Sequence, residues 1–250
     1  MASSKKRKLF RYFLLIFWVL VFGWQFYQMN AKGFDKTDIL SSNKYIVFTD
    51  TDNYLSFIPK VDSTKVSLLF FPGALVQPEA YAPFLKDLAM KGYSSYIQKI
   101  PFRIAITDNM EEKALADAYS KINSSIDTKW VIMGHSRGGR MAANYSAKYP
   151  DSISGLVLMG TTHPKEKDLT NLDIHVLKIS ASEDGLASPK EIKQFSSNLP
   201  ATTEFIMIEG ANHSQFGYYG FQLGAGEATI SREEQQRITQ LEILKFLDSY

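Results

Sequence analysis

Hydrophobic and polar positions along the chain predict strands and helices in alternation. Runs rich in β-branched and aromatic residues, bounded by turn residues, predict strands, whereas apolar residues spaced three and four apart predict helices. Strands are predicted at 45–48, 54–58, 66–71, 93–97, 129–133, 153–159, 175–179 and 205–208. Helices are predicted at 78–91, 110–126, 140–148, 189–198 and 231–247. This alternation predicts an α/β fold, in which a mostly parallel central sheet has helices on both faces.

The N-terminal segment has the pattern of a membrane anchor. Four basic residues at 5–8 come first, and the 20 residues from Tyr12 to Ala31 carry no charge. About 20 apolar residues in a helix cross a bilayer core of roughly 30 Å. Trp18 and Trp24 add the aromatic character that is common near membrane interfaces. Basic residues before the span predict a single-pass protein of the cell membrane, with a cytoplasmic N-terminus and an extracytoplasmic domain.

Two other interpretations of this segment are a cleaved signal peptide and a buried core helix. A signal peptide is less favoured because no A-x-A-like site follows the apolar run. A core helix is less favoured because the segment is apolar all round and precedes the first strand. The predicted organisation is therefore a basic tip and anchor at 1–31, a linker at 32–44 and a folded domain at 45–250. The anchor is expected to contribute nothing to the fold, so a chain beginning near Lys32 should be soluble and active.

Composition narrows the classes of chemistry. With 45% hydrophobic residues, a chain of 250 residues has enough apolar material for one large core. It has no cysteine, which excludes disulfides, thiolate catalysis and cysteine-based metal sites. The formal net charge is +2 and no basic stripe is present, so nucleic acid is not an expected partner. The oligomeric state is left open.

The sequence Gly-His-Ser-Arg-Gly-Gly at 134–139 follows a predicted strand and precedes a predicted helix. This is the setting in which the pattern G-x-S-x-G forms a nucleophile elbow. A tight, strained turn lifts the serine hydroxyl clear of the sheet, and the following helix directs its free N–H groups toward a developing oxyanion. Ser136 is therefore the candidate nucleophile.

A serine hydroxyl needs a base, and the chain has four histidines. His213 lies in the loop between the last strand and the last helix, which can bring an imidazole over Ser136. His135 lies inside the elbow, His175 opens a strand, and His163 follows the strand at 153–159. His213 is the predicted base, and His163 is the alternative at the pocket.

The base needs a carboxylate to orient it. Asp184, which precedes a glycine at the end of the strand at 175–179, is the first candidate, and Glu183 is the alternative. Acidic residues at the carboxyl end of a parallel strand reach the crevice of the sheet. The order Ser, Asp, His agrees with the α/β-hydrolase order.

Two backbone N–H groups are predicted to stabilise the oxyanion. One belongs to Arg137, directly after the serine, and the other to Ala74, or alternatively Leu75, in the loop after the third strand. The side chain of Arg137 is expected either to bind an anionic part of the substrate or to face solvent.

These motifs together resemble the α/β-hydrolase superfamily, in particular small bacterial hydrolases with a Phe-Pro-Gly-type oxyanion loop. The resemblance covers about residues 44–250 and includes the elbow and the segment Gly-Ala-Asn-His-Ser-Gln-Phe-Gly at 210–217. Relatives are expected to carry an acidic residue in the following glycine-rich run, where this chain has Gly224, Ala225 and Gly226. The resemblance implies hydrolysis of an ester-like bond through an acyl-enzyme, with neither cofactor nor metal. The short interval before the strand at 175–179 leaves little room for a lid.

The sequence thus predicts a membrane-anchored, carboxylesterase-like serine hydrolase acting on a small-molecule or lipid-like ester. A lipase, acyltransferase or peptidase could use the same three side chains, because they do not select the acyl donor. A binding protein that keeps the fold without activity is the alternative of another class. Four aromatic residues either line an acyl pocket or only pack in the core: Phe102, Phe216, Tyr218 and Tyr219.

Overall fold

The computed structural model describes residues 2–61, 63–125 and 127–250. Within these residues, eight strands form one sheet of order β1-β2-β4-β3-β5-β6-β7-β8. β2 is antiparallel to both of its neighbours, and every pairing from β4 to β8 is parallel. The strands are β1 (Ile46–Asp50), β2 (Tyr54–Pro59), β3 (Val66–Phe71), β4 (Ser94–Gln98), β5 (Lys129–His135), β6 (Gly155–Met159), β7 (His175–Ala181) and β8 (Glu204–Ile208).

Seven α-helices within the described residues surround or precede the sheet. They are α1 (Ala2–Gln28), α2 (Lys36–Ile39), α3 (Ala82–Met90), α4 (Asp108–Asn123), α5 (Arg137–Lys148), α6 (Pro189–Gln194) and α7 (Arg232–Leu247). Short 3₁₀ turns precede α3 at Pro78–Tyr81 and follow α6 at Ser196–Asn198. The helix predicted at 110–126 corresponds to α4, and its predicted last residue, Ile126, lies outside the described residues. The predicted α/β fold is confirmed.

The central strands place alternate side chains in two separate apolar layers. In β3, Leu68 and Phe70 join the layer that contains α3 and α7, whereas Leu69 and Phe71 join the layer that contains α4 and α5. A strand directs successive side chains to opposite faces, so a strand that is apolar throughout must be covered on both. All six residues of β3 are buried. Helices therefore cover both faces of the sheet, as predicted.

No helix is inserted between β6 and β7. Residues 160–174 connect these strands without regular secondary structure. The short connection agrees with the expectation of little or no lid.

Helix α1 is long and apolar enough to cross a membrane. The qualifying segment is Lys5–Gln28, and none of it is buried against the rest of the chain. A signal sequence near an N-terminus would meet the same criteria of length and composition. The helix therefore agrees with the predicted anchor, while its orientation and its retention stay predictions.

The end of α1 and the segment after it pack against the folded domain. Met29 and Ala31 are buried in the core, and Ala31 forms a β-bridge with Tyr219. The predicted linker at 32–44 contains α2, and its apolar residues Phe34, Ile39 and Leu40 pack against the core. The expectation that residues up to 31 add nothing to the fold is therefore wrong for its last residues, because they bury apolar surface that the sequence pattern did not assign to a core. The division of the chain at 31 and 44 stays a prediction.

These contacts predict the effect of shortening the chain. A chain beginning at Gln25 retains the buried residues, whereas one beginning at Lys32 loses Met29 and Ala31. Burying a side chain such as that of Met29 contributes about 1.5–3 kcal/mol, so the shorter chain should lose at least this much free energy of unfolding. Chemical denaturation of the two chains measures the difference. In the chain beginning at Gln25, Met29→Ala should reproduce most of the loss, and Tyr27→Ala, at an exposed position, should not. Equal stability of the two chains would contradict this packing account.

Candidate active site

Ser136 occupies a strained turn between β5 and α5. Its backbone has φ 55° and ψ −120°, a conformation that costs a residue other than glycine about 1–3 kcal/mol. The turn is held because the Ser136 N–H donates to the carbonyl of Met159 at 2.9 Å, and the Ser136 carbonyl accepts from the Gly139 N–H at 3.0 Å. A Cβ on Gly138 would collide with the backbone of Phe71, so only glycine lets α5 begin this close to β3. The predicted elbow is present, and the helix starts directly after the serine.

His213 and Asp184 form a buried pair at the carboxyl edge of the sheet. Nδ1 of His213 lies 2.8 Å from Oδ2 of Asp184, and both side chains are almost completely buried. The other oxygen of Asp184 accepts the N–H groups of Leu186 at 2.8 Å and Ala187 at 2.7 Å. Oδ1 of Asp184 is thus taken up by two backbone N–H groups, and Oδ2 is the oxygen that faces Nδ1 of His213.

The remaining nitrogen of His213 belongs to the same pocket as Ser136. Nε2 is buried and has no hydrogen-bond partner among the described residues. His213 and Ser136 both line a pocket of about 210 Å³, together with Arg137, Gly160, Thr161, Thr162, His163, Leu186 and Ala187.

Glu183 does not reach the histidine. Its side chain is exposed, and its carboxylate accepts a hydrogen bond from the hydroxyl of Ser182 at 3.0 Å. Of the two carboxylates that the sequence left open, the structure places Asp184 beside His213.

The glycine-rich run at 224–226 supports this arrangement. The carbonyl of Ala225 accepts the His213 N–H at 3.1 Å, and the carbonyl of Gly226 accepts the side-chain amide of Asn212 at 2.9 Å. Gly226 has φ 83°, and a Cβ there would collide with the backbone carbonyl of Glu183. The run therefore fixes the backbone of the histidine loop against the loop that carries Asp184, whereas the acidic residue expected from the resemblance is absent.

The other three histidines have different surroundings. His163 lines the pocket, but its Nδ1 lies 3.8 Å from the exposed carboxylate of Glu166, and burial lowers its pKa to about 4. His175 is exposed and lies 3.1 Å from the hydroxyl of Ser249. His135 is buried, and its ring centroid lies 4.6 Å from that of His213.

A buried tyrosine connects His135 to the loop after β3. The Tyr81 hydroxyl accepts the Gly73 N–H at 3.1 Å and lies 2.8 Å from Nδ1 of His135. Burial, and secondarily the neighbouring His213, hold the pKa of His135 well below its ordinary value, so the ring is neutral. The Tyr81 hydroxyl therefore accepts from Gly73 and shares a hydrogen bond with Nδ1 of His135, whose direction depends on the tautomer of the ring. Sequence reasoning missed this network because nothing in the local pattern around Tyr81 indicates a polar partner 54 residues away.

The loop after β3 contains one free backbone donor beside the elbow. Leu75 has φ 64°, and its N–H donates to the carbonyl of Arg103 at 2.7 Å. No acceptor among the described residues takes the N–H of Ala74 or that of Arg137. Of the two candidates in this loop, Leu75 is thus already engaged.

The Arg137 side chain is 33% exposed, and the residue lines the pocket. Its guanidinium donates to the carbonyl of Ala105 at 2.9 Å and lies 3.7 Å from the carboxylate of Glu111. These contacts tie the start of α5 to α4 and to the segment before it, and a role in binding an anionic substrate stays a prediction.

The four aromatic candidates do not line the pocket. Phe216 and Tyr219 are completely buried in the core, and Phe216 packs against the ring of His135. Tyr218 packs against Phe34, while Phe102 is strongly exposed. Among the described residues, no group of three or more His, Cys, Asp or Glu side chains is arranged to hold a metal ion.

The comparisons with known proteins agree with this architecture. A family model described as "Alpha/beta hydrolase family" matches residues 67–237, which is more than half of the chain. The chain belongs to the α/β-hydrolase family. No curated protein matches it in sequence.

Solved structures of α/β hydrolases resemble the chain in fold. A predicted CIB-like hydrolase from Thermoplasma acidophilum has 20% identity and a TM-score of 0.58, covering 82% of this chain and 98% of that chain. A soluble variant of monoglyceride lipase from Saccharomyces cerevisiae has 13% identity and a TM-score of 0.61, covering 84% and 96%. An alpha-beta serine hydrolase homologue from Coxiella burnetii has 14% identity and a TM-score of 0.54, covering 69% and 90%. At these identities the likeness shows the fold alone.

The Tyr81 network predicts a stability effect in this hydrolase. Tyr81→Phe leaves the buried Gly73 N–H without its acceptor and Nδ1 of His135 without its partner. Leaving a buried polar group unpaired costs about 1–3 kcal/mol, so the free energy of unfolding should fall by this amount. Denaturant titration measures the loss, with Tyr45→Phe at an exposed position as the control. Unchanged stability of Tyr81→Phe would show that the network does not hold the loop.

Proposed function

We propose that this α/β hydrolase cleaves an ester-like bond through an acyl-enzyme formed on Ser136. The observation that carries the proposal is the buried pair of His213 and Asp184. Its hydrogen bond, 2.8 Å long, leaves Nε2 of the imidazole without a partner in the pocket that Ser136 lines. A neutral imidazole held in this tautomer can take a proton only at Nε2, which is what a serine nucleophile requires.

The reaction would proceed in two halves. Nε2 of His213 takes the proton from the Ser136 hydroxyl while its oxygen attacks the ester carbonyl. The resulting imidazolium is stabilised by the Asp184 carboxylate and returns the proton to the leaving alcohol. Water then attacks the acyl-serine by the same route, with His213 again as base, and releases the acid.

The oxyanion of each tetrahedral intermediate would accept two backbone N–H groups, those of Arg137 and Ala74. The support is that both donors have no acceptor among the described residues, and that Arg137 directly follows the serine, whereas the Leu75 N–H is engaged with Arg103. Arg137 also begins α5, whose N-terminal dipole favours negative charge at this point. Preorganised donors of this kind contribute about 3–4 kcal/mol each to lowering the barrier.

The proposed substrate class is a small carboxylic ester, and a lipase, acyltransferase or peptidase activity is the alternative. The pocket of about 210 Å³ is open and is not covered by a lid, which suits a substrate with a short or extended acyl group. The monoglyceride lipase that resembles this chain in fold acts on a lipid ester, which makes a lipid-like substrate the first alternative to test. A non-catalytic binding protein is disfavoured because the three side chains are all present and two are already paired.

We also propose that α1 is an uncleaved anchor that places the domain outside the cytoplasm. The support is the basic cluster before the span, together with the contacts that its last residues make with the domain. Cleavage before Lys32 would remove Met29 and Ala31 from the core. External protease should therefore digest the domain in intact cells, after removal of any wall. Protection of the domain would reverse the topology, and a mature chain starting near Lys32 would identify a signal peptide instead.

The proposed role of Ser136 as nucleophile leads to the first test of activity. Ser136→Ala should abolish both ester hydrolysis and labelling by a fluorophosphonate probe, because only an activated serine reacts with the probe. Ser197→Ala, at an exposed serine, is the matched control and should retain both. A folded wild-type protein that neither reacts with the probe nor hydrolyses any ester would favour the binding-protein alternative.

The proposed role of Asp184 in orienting His213 leads to a second test. Asp184→Asn should lower kcat by about 10⁴-fold, because the amide favours the wrong tautomer of His213. Glu183→Gln, one residue away but exposed, should change kcat by little more than the error of the assay. Steady-state kinetics on a soluble ester compares the two variants. A large effect of Glu183→Gln with a small effect of Asp184→Asn would refute the assignment.

A further inference from the structure

The last two turns of α1 contact two loops of the hydrolase domain. One loop spans residues 218–226, where the Gly220 N–H donates to the Gln28 carbonyl at 2.7 Å and the Leu223 N–H donates to the Gln25 side chain at 3.0 Å. The other loop spans residues 100–106. There, the Arg103 guanidinium packs over the ring of Phe26 at 4.7 Å. The end of α1 therefore joins the two loops.

These two loops also flank the pocket. In the 100–106 loop, the carbonyl of Arg103 accepts the Leu75 N–H and that of Ala105 accepts the Arg137 side chain. In the 218–226 loop, the carbonyl of Ala225 accepts the His213 N–H. One loop thus touches the oxyanion loop and the elbow, while the other touches the base. The end of the apolar helix and the mouth of the pocket consequently lie on the same edge of the domain.

The same edge carries the most exposed apolar side chains of the domain. Outside α1, the three most exposed large hydrophobic residues among those described are Phe102 at 82%, Ile106 at 70% and Leu223 at 69%. Phe221, at 55%, lies in the same loop as Leu223, and Leu186, at 44%, lines the pocket itself. We call these five residues the rim. Exposed large apolar side chains gathered at one edge of a domain are typical of a contact with a membrane or a partner.

The backbone holds part of the rim outward at an energetic cost. Phe102 and Arg103 both have positive φ, 55° and 59°. Neither residue is glycine, and such conformations cost of order 1–3 kcal/mol each unless the surroundings fix them. The turn exposes Phe102 instead of folding it onto the core, although burial of a phenylalanine side chain would contribute about 1.5–3 kcal/mol. A strained turn that exposes an apolar side chain is expected where that side chain contacts a membrane or a partner.

Continuity with α1 identifies the occupant as lipid. The ring of Trp24 lies 5.7 Å from that of Phe221, so the exposed apolar surface of the helix meets the rim at Phe221. Trp24 and Tyr27 near the end of the span are residue types that lie at the headgroup level of a bilayer. With α1 in the membrane, its last turn holds the rim at that same level.

We infer that the rim rests in the interface of the bilayer that α1 enters, so that the pocket opens toward lipid and takes an acyl ester dissolved in the membrane. This inference rests on the proposed anchor and on the proposed hydrolase activity. It adds a surface, the rim, and a route of substrate entry that neither of them specifies.

The absence of cysteine from the chain allows a direct test on the full-length protein. Phe102→Cys and Leu223→Cys are each labelled with an environment-sensitive fluorophore and reconstituted in phosphatidylcholine vesicles. Leu241→Cys is the matched control: Leu241 is 44% exposed on α7, whose end packs against the opposite edge of the sheet, where the Tyr250 hydroxyl donates to the carbonyl of Ser154. Labels at 102 and 223 should shift to shorter emission wavelengths. Spin-labelled lipid should quench them at least twofold more than the label at 241.

Equal emission and equal quenching at all three positions would overturn the inference. A shift to shorter emission wavelengths at 102 and 223 that persists in detergent and grows with protein concentration would also overturn the inference. Such a result would assign the rim to contact between copies of the chain. The activity is read separately from these labels, with a soluble short-chain ester and the unlabelled wild-type protein in detergent. Lack of hydrolysis there would contradict the proposed function, whereas lipid exposure of the two labels would still establish the surface.

Discussion

The strained backbone of Ser136 is the constraint on which the rest of the site depends. A positive φ at a serine places its hydroxyl above the carboxyl edge of the sheet and allows α5 to begin with the next residue. That geometry persists only because α5 approaches β3 closely at Gly138 and because Met159 of β6 accepts the Ser136 N–H. The parallel arrangement of β3, β5 and β6 is what brings these two contacts to one point. The core of the fold therefore supplies the energy that holds the elbow.

Around the elbow, the polar groups form two buried networks that share His135 as a neighbour. One joins His213 to Asp184 and, through Asp184, to the backbone of Leu186 and Ala187. The other joins His135 to Tyr81 and Gly73. Because burying a polar group is costly unless it is paired, these networks favour one arrangement of the loops that carry the base and the oxyanion donor. The space between them is the pocket, which explains how an open site without a lid can still be preorganised.

Local signals explain how much of this could be predicted from sequence. The elbow and the strand and helix on either side of it depend on neighbouring residues, and the pattern contains them. The sequence ranks Asp184 above Glu183 but leaves both open, because the side chain that faces His213 depends on contacts between loops distant in sequence, such as that of Gly226 with the Glu183 carbonyl. The choice between Ala74 and Leu75 as oxyanion donor also depends on a distant contact, because the Leu75 N–H donates to the carbonyl of Arg103. The packing of Met29 and Ala31 was missed because an apolar run that suits a membrane gives no sign of where its last turn enters a core.

The central claim is that Ser136 forms a covalent acyl intermediate with the help of His213 and Asp184. Its most direct test is rapid acid quenching of the full-length protein during the first turnover of a p-nitrophenyl ester, followed by mass spectrometry of the intact chain and its peptides. The account predicts a mass increase of one acyl group on the peptide that contains Ser136, with accumulation of this species as p-nitrophenol is released. An acyl group found on any other residue would contradict it.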